Sequence, residues 1–290
     1  MIERDSYLAG IRSSGSYIVG AGVHNAVTAA IVERAGFQVL WLSSLEISTS
    51  KLLPDANVIT FSEVAHILRE VKSAVSLPII VDADNGYGSD ETAIRAAQEF
   101  RDAGATAICL EDNAFPKRGS FYTGVERQLE DAAAFCRRIK KVREVVGNQL
   151  DVIARTEGLV AGLGVQETIE RACAYREAGA SGLFIQTNAS TIESFMRVLE
   201  ELRELAPIVI APTSLPEFSA AQFHALGADV IIYANVVIRT IIKAVSDALS
   251  QLMVEQCLGR VQRQIASLEE LFELTHAYNW LDNSSGLDTC

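Results

Sequence analysis

A short phrase that recurs along the chain constrains the fold more than any other feature of the sequence. It consists of a helix end, a glycine and an apolar strand, and it occurs as ERAGFQVLWL, RDAGATAICLE, REAGASGLFIQ and HALGADVIIYA. A glycine just past the last helical turn is a common helix stop. The runs that follow are fully apolar, as in strands covered on both faces. The phrase therefore predicts repeated helix–strand units.

Strand segments of this kind recur at a spacing of roughly 30 residues. Eight alternating units favour an α/β fold of the (β/α)8 TIM-barrel type. The alternative is a doubly wound open sheet, which usually has fewer strands and a glycine-rich first turn that GAGVHN matches poorly. The predicted strands are 17–22, 39–44, 78–84, 107–112, 151–157, 182–187, 208–213 and 229–235.

Residues 1–290 are predicted to form a single barrel domain, because no segment has the composition of a linker. Residues 236–280 carry extra C-terminal helical patterns that a barrel does not need. Surplus terminal helices with apolar faces commonly dock on a partner subunit. We therefore expect residues 236–280 to take part in oligomerisation.

Composition excludes several classes of function. The net charge is −12, which disfavours nucleic acid as a partner, because a phosphate-binding surface needs clustered Lys and Arg. There is no apolar run of the roughly 18 residues that a membrane span requires. The five cysteines lie far apart without a CxxC pair, so neither a disulfide framework nor a zinc site is indicated. These features predict a cytoplasmic protein in a reducing setting.

Polar side chains gather where the predicted strands end. In such barrels the chemistry takes place at the carboxyl ends of the strands. The side chains expected to converge there are Ser43, Ser44, Asp82, Asp84, Glu111, Asp112, Arg155, Glu157, Gln186, Thr187, Thr213 and Asn235.

The acids among them predict a metal site. Asp82, Asp84 and Glu111 would repel one another unless a cation shared them, and an all-oxygen ligand set suits Mg²⁺ or Mn²⁺. The alternative is that these acids cap the following helices. A buried Arg155 needs an anion, which is either a substrate carboxylate or phosphate, or a neighbouring glutamate, Glu157 or Glu111.

The stretch EDNAFPKRGSFYTG, after the fourth strand, is longer than a plain connecting loop. Loops of this kind close over active sites. Lys117 would then bring positive charge to an anionic ligand. The alternative is a solvated surface lysine.

Six motifs together resemble the phosphoenolpyruvate mutase/isocitrate lyase superfamily, along nearly the whole chain. The phrases ED-x-x-FPK and AGLG place the resemblance closest to the phosphoenolpyruvate mutase and phosphonopyruvate hydrolase branch, and the KKCGH loop of the lyase branch is absent. The motifs are VHN (23–25), PDAN (54–57), VDADNGYG (81–88), LEDNAFPK (110–117), ARTEGLVAGLG (154–164) and ANVVIR (234–239).

The resemblance implies roles for individual residues. Asp82 is expected to contact Mg²⁺, with Asp84, Glu111 and Asp55 in its water shell. The substrate is expected to be a small anionic 2-oxo acid or enolpyruvate, held by Arg155 through its carboxylate. Lys117 is expected to lie on a mobile lid. The implied catalytic residues are Asp55, Lys117, Arg155 and Ser120, and the implied substrate-binding residues are Ser43, Ser44, Leu45, Arg155, Gln186 and Asn235.

The resemblance also implies phosphonate metabolism and a homotetramer, built as a dimer of dimers that exchange their C-terminal helices. The chain departs from the mutase pattern at Asn113, Gly119 and Gln186, where a lysine, an asparagine and a histidine are expected. These departures affect the part of the site that handles the phosphoryl group.

Three activities and one non-catalytic alternative therefore stay open. The first is Mg²⁺-dependent interconversion of phosphoenolpyruvate and phosphonopyruvate through a pyruvate enolate, and the second is hydrolysis of phosphonopyruvate. The third is C–C cleavage or decarboxylation of a 2-oxo or 2-hydroxy diacid such as oxaloacetate. The fourth is a non-catalytic barrel that binds a small anion.

Overall fold

The computed structural model describes residues 6–122, 124–188 and 190–284. Within these residues, eight parallel strands pair in chain order and close into a barrel, with the last strand paired to the first. The predicted (β/α)8 barrel is confirmed, and the open doubly wound sheet is wrong. The strands are β1 (Ile18–Val23), β2 (Val39–Leu42), β3 (Ile79–Asp82), β4 (Ala107–Glu111), β5 (Asp151–Thr156), β6 (Gly182–Ile185), β7 (Ile208–Ile210) and β8 (Val230–Tyr233).

Helices alternate with the strands, and side chains at their first turns fix where several of them begin. Ser89 and Thr60, for example, each accept a backbone N–H at the start of a helix, which satisfies a donor that has no partner within the helix. The helices are α1 (Tyr7–Ser13), α2 (Ala26–Arg34), α3 (Ser44–Ser50), α4 (Phe61–Ala74), α5 (Asp90–Asp102), α6 (Ala132–Val146), α7 (Gly164–Glu177), α8 (Ile192–Leu202), α9 (Ala220–Ala225), α10 (Val236–Glu255), α11 (Leu258–Val261), α12 (Leu268–Leu274) and α13 (Ala277–Ser284), with a 3₁₀ turn at Gly147–Gln149.

Two sets of buried apolar side chains stabilise the barrel. The inner set fills its interior and includes Trp41, Cys109 and Phe184. The outer set packs the strands against the helices. Because both faces of each strand are covered, the strands are apolar throughout, as their sequences predicted.

The short helix α1 closes the amino-terminal end of the barrel. Its Leu8 and Ile11 belong to the inner set of core residues. The backbone N–H of Leu8 donates to Asp151 Oδ2 at 3.0 Å, and Asp151 is the first residue of β5. The apolar side chains of α1 therefore fill the barrel interior at its amino-terminal end.

The alternation of side chains along each strand positions the polar residues at the other end. In β4, Ala107 and Cys109 belong to the inner set, whereas Ile108 and Leu110 belong to the outer one. Glu111 takes the next inward position after Cys109. The carboxyl end of the strand thus directs Glu111 into the mouth of the barrel.

By its internal contacts the chain divides into two compact units, with the boundary between Ile238 and Arg239. The second unit contains most of α10, together with α11, α12 and α13. The single domain predicted for 1–290 extends beyond the described residues at both ends, and the oligomeric role of 236–280 stays a prediction. Within the described residues, no helix is long and apolar enough to cross a bilayer.

Candidate active site

One pocket opens at the carboxyl ends of the strands, and most of the predicted site residues line it. The predicted residues in its wall are Ser43, Leu45, Asp55, Asp82, Glu111, Lys117, Ser120, Arg155, Gln186, Thr213 and Asn235. Ser44 and Asp84 are not part of the pocket wall, but each contacts a residue that is. Ser44 Oγ donates to Asp82 Oδ2 at 2.8 Å, and Asp84 Oδ1 accepts from Lys117 Nζ at 2.5 Å.

Strands β2 to β8 all end earlier than predicted, and two of these early ends, those of β2 and β3, shape the pocket. Strand β2 stops at Leu42, and Ser43 then caps α3 by accepting the backbone N–H of Glu46 at 3.2 Å. Strand β3 stops at Asp82, so that Asp84 lies in the following turn with a φ of 49°. These turns redirect the chain and bring polar groups over the pocket.

Lys117 is buried rather than solvated, so the alternative of a surface lysine is wrong. Its Nζ lies 2.8 Å from Asp55 Oδ1, 2.5 Å from Asp84 Oδ1 and 3.0 Å from Ser44 Oγ. Burial acts to lower the pKa of Lys117, but the surrounding carboxylates, led by Asp84, outweigh burial and raise that pKa well above its ordinary value. The loop after β4 thus delivers a fixed positive charge to the site.

Arg155 lines the pocket and also pairs with neighbouring glutamates. Its Nε donates to Glu157 Oε1 at 2.8 Å and lies 3.4 Å from Glu111 Oε2. Another nitrogen of the guanidinium donates to Ser120 Oγ at 2.8 Å. The group also lies over the ring of Phe184, 4.9 Å from its centroid, a cation–π contact that limits its orientation.

Acids outnumber cations in the described part of the site. Burial raises the pKa of Asp82, and it raises the pKa of Asp84 to about 7. For Glu111, burial is opposed by the nearby charge of Arg155, and the net effect lowers the pKa. An excess of buried negative charge favours uptake of a cation. The carboxylates are Asp55, Asp82, Asp84, Glu111 and Glu157, and the cations are Lys117 and Arg155.

The oxygen ligands that the pocket offers suit a hard divalent cation. Asp82 and Glu111 both line the pocket and offer carboxylate oxygens. No group of three or more His, Cys, Asp or Glu within the described ranges is arranged to enclose a metal. Mg²⁺ does not require such a cage, because it keeps several waters and is commonly bound through one or two carboxylates. Asp82 and Glu111 are therefore the side chains that would hold it.

The remaining predicted residues supply neutral polar groups. Gln186 is buried in the pocket wall, and its Nε2 donates to the Thr187 carbonyl at 3.0 Å. Asn235 Nδ2 donates to Thr213 Oγ1 at 3.3 Å. Ser120 Oγ donates to Glu157 Oε1 at 2.8 Å. These groups can form hydrogen bonds with a substrate but contribute no charge.

Several residues of the site were not predicted. Trp41 and Phe184 line the pocket, and the alternation of inward-facing positions along β2 and β6 could have identified them. Phe121, from the loop after β4, also lines it. Asn57 contacts both Lys117 and Asp84, and only its place in the PDAN motif could have drawn attention to it.

Comparison with known proteins identifies the family of the chain. The family model described as phosphoenolpyruvate phosphomutase matches residues 8–253. The phosphoenolpyruvate phosphomutase of Streptomyces hygroscopicus is 34% identical over 255 residues, which are 87% of this chain and 81% of that protein. The phosphonopyruvate hydrolase of Variovorax sp. (strain Pal2) is 32% identical over 275 residues, covering 94% and 95% of the two chains.

A solved structure extends the likeness to three dimensions. The crystal structure of a phosphonopyruvate hydrolase in complex with oxalate and Mg²⁺ matches with a TM-score of 0.89 at 30% identity, covering 96% of each chain. Sequence and fold thus agree, and the chain belongs to the phosphoenolpyruvate phosphomutase family of the phosphoenolpyruvate mutase/isocitrate lyase superfamily.

Proposed function

We propose that the protein is a Mg²⁺-dependent enzyme that interconverts phosphoenolpyruvate and phosphonopyruvate through the enolate of pyruvate. The observation that carries this proposal is the meeting of Arg155 with the buried acids Asp82 and Glu111 in one pocket. A guanidinium can bind a carboxylate, and carboxylate oxygens beside it can hold a cation. These are the two features that an enolpyruvate or 2-oxo acid substrate requires.

Different groups of the protein would contact the two ends of the substrate. Arg155 would bind the carboxylate, and the backbone N–H groups of Ser44 and Leu45, in the first turn of α3, would donate to substrate oxygens. Bound Mg²⁺ would supply positive charge that stabilises the enolate oxygen in the transition state. Lys117 and Ser120 would approach from the loop side.

In the proposed reaction the P–C bond of phosphonopyruvate breaks, and its electron pair stays on the pyruvate enolate. A new P–O bond then forms between the phosphoryl group and the enolate oxygen. The phosphoryl group is loosely held in transit, so exclusion of water decides its fate. Capture by water instead gives pyruvate and phosphate, which is the hydrolase reaction. Gly119 lines the pocket without a side chain to guide the group, which favours the hydrolase as the next candidate.

A second candidate is C–C cleavage or decarboxylation of a 2-oxo or 2-hydroxy diacid such as oxaloacetate. The specific observation that favours it is Gln186, which lines the pocket with a neutral amide where the mutase pattern has a histidine. A neutral donor suits a carboxylate or hydroxyl better than it suits a doubly charged phosphonyl group.

Phosphorus NMR tests the order of these candidates. The purified protein is incubated with phosphonopyruvate and Mg²⁺, with a chelator-treated sample as control. A new phosphate-ester signal supports the mutase, and inorganic phosphate with pyruvate supports the hydrolase. A parallel incubation with oxaloacetate is assayed for pyruvate and for oxalate. Turnover of oxaloacetate with phosphonopyruvate left intact would reject the phosphonate proposal.

Our proposal includes a homotetramer in the cytoplasm. The exposed apolar side chains on the helices after residue 238 support an assembly of subunits, and its test is given below with those helices.

A further inference from the structure

We propose that Asn57 is a positioning residue that ties the loop over the pocket to Asp84. The loop is defined here as residues 113–122, and it contributes Lys117, Gly119, Ser120 and Phe121 to the pocket wall. The inference concerns how this loop is held, so it does not depend on which reaction the site performs.

The side chain of Asn57 uses both ends of its amide. Its Oδ1 accepts the backbone N–H of Lys117 at 2.6 Å. Its Nδ2 donates to Asp84 Oδ2 at 3.2 Å. Because Lys117 Nζ also contacts Asp84 Oδ1 at 2.5 Å, the three residues form a closed triangle. The triangle fixes the loop backbone, its ammonium group and the carboxylate in one arrangement.

The backbone at Asn57 adds to this constraint. Its φ is 56°, in the left-handed region that side-chain-bearing residues other than Asn and Asp rarely adopt. Asp84 also lies in this region, with a φ of 49°. Two turns with uncommon backbone conformations are thus joined by one side-chain hydrogen bond. Alanine at position 57 would lose the bond and strain the turn together.

The partners of Asn57 distinguish a tie from a local turn contact. An asparagine that serves only its own turn bonds backbone groups about two residues away. Here the acceptor end reaches Lys117, 60 residues along the chain, and the donor end reaches Asp84, 27 residues along the chain. The amide therefore connects two separate parts of the barrel mouth with the turn that carries it.

Limited trypsin digestion tests the inference on the intact protein. Arg118 is exposed within the loop, so the rate of cleavage between Arg118 and Gly119 reports how often the loop opens. Asn57→Gly keeps the left-handed backbone accessible and removes only the amide. We expect cleavage at this bond to accelerate about tenfold, the effect of one net hydrogen bond, while the midpoint of thermal unfolding changes little.

Two further variants complete the experiment. Asn148→Gly removes an exposed asparagine from the 3₁₀ turn before β5, and cleavage after Arg118 should match that of the wild type. Asn57→Asp keeps an acceptor for the Lys117 N–H but sets a carboxylate against Asp84. We expect this variant also to accelerate cleavage, because like charges repel at this distance.

Each outcome decides a part of the inference. Wild-type cleavage in Asn57→Gly overturns it, and so does a general loss of stability that accelerates cleavage throughout the chain. If cleavage accelerates in Asn57→Gly but not in Asn57→Asp, the hydrogen bond between Asn57 and Asp84 does not help to hold the loop. If Asn57→Gly does not fold, Asn57→Asp decides alone, and wild-type protection in that variant overturns the proposal. No activity is measured, so a failure here is separate from a failure of the proposed reaction.

Discussion

Asp82 illustrates how a single residue acquires its function from its place on a strand. It is the last residue of β3 and follows Ile80 at the next inward position. Burial raises its pKa, although the nearby charges of Lys117 and Arg155 act against the rise. A carboxylate in that environment gains more from a bound cation than one in water does, because the cation replaces lost hydration.

The first prediction concerns Asp82 itself. Asp82→Ala should lower turnover by at least about 100-fold, because the loss of a direct ligand exceeds the 10–100-fold cost typical of groups that only support ligands. Mg²⁺ binding, followed by calorimetry, should weaken in parallel. Asp102→Ala, at an exposed acid in the last turn of α5, serves as the control. Unchanged Mg²⁺ affinity in Asp82→Ala would show that the metal lies elsewhere.

The second prediction concerns the charge that Lys117 brings to the same acids. Lys117→Ala removes the ammonium that lies between Asp55 and Asp84. Turnover should fall, whereas affinity for Mg²⁺ should rise about tenfold, because a competing positive charge is lost. Calorimetric titration of both proteins at the same ionic strength measures this. Weaker Mg²⁺ binding by the variant would mean that Lys117 supports the metal site.

At the scale of secondary-structure elements, Asp112 connects the ends of two strands with a helix. It follows β4 and accepts hydrogen bonds from Thr156 Oγ1 at 2.9 Å and from the Glu157 N–H at 2.9 Å. Tyr175, in α7, donates its hydroxyl at 2.8 Å. Burial raises the pKa of Asp112, although these donors act against the rise. The network holds Glu157 in place beside Arg155.

The third prediction tests this connection. Tyr175→Phe removes one buried donor without changing the shape of the ring. The free energy of unfolding should fall by about 1–2 kcal/mol, the usual cost of a lost buried hydrogen bond. Urea denaturation measures it, and Tyr278→Phe, at an exposed position, should be neutral. Equal stability of Tyr175→Phe and the wild type would show that the hydroxyl contributes no net stabilisation.

The strands of the barrel could be predicted from the sequence, whereas the loop conformations could not. The strands and their polar ends were predictable because both follow from local patterns, namely apolar runs and glycine stops. Asp82, Glu111 and Arg155 were found in this way. The burial of Lys117 and the role of Asn57 were not, since they depend on loop conformations with left-handed turns. Such turns have no periodic signal, and their contacts join residues far apart in the chain.

At the scale of the whole molecule, the helices after Ile238 carry an apolar face of their own. On α10, side chains spaced three and four residues apart share one side of the helix. Ile242, Val245, Leu249 and Met253 are each at least 50% exposed in the single chain. Apolar stripes of this length commonly mark subunit contacts.

The fourth prediction applies to this stripe. Leu249→Lys should dissociate the proposed tetramer into smaller species, because a charge is costly to bury in an apolar contact. Ala244→Lys, which lies on the opposite side of α10, should leave the assembly intact. Light scattering during gel filtration gives the mass of each species. An unchanged mass for Leu249→Lys would show that α10 does not carry the contact through this face.

The packed interior of the barrel has a kinetic consequence. Leu8 and Ile11 close one end, and in the described residues the inner side chains continue from there to the floor of the pocket. Reactant and product would then enter and leave the proposed active site on the same side, past residues 113–122. If those residues cover the site during the reaction, the rate at which they move aside is the upper limit of turnover.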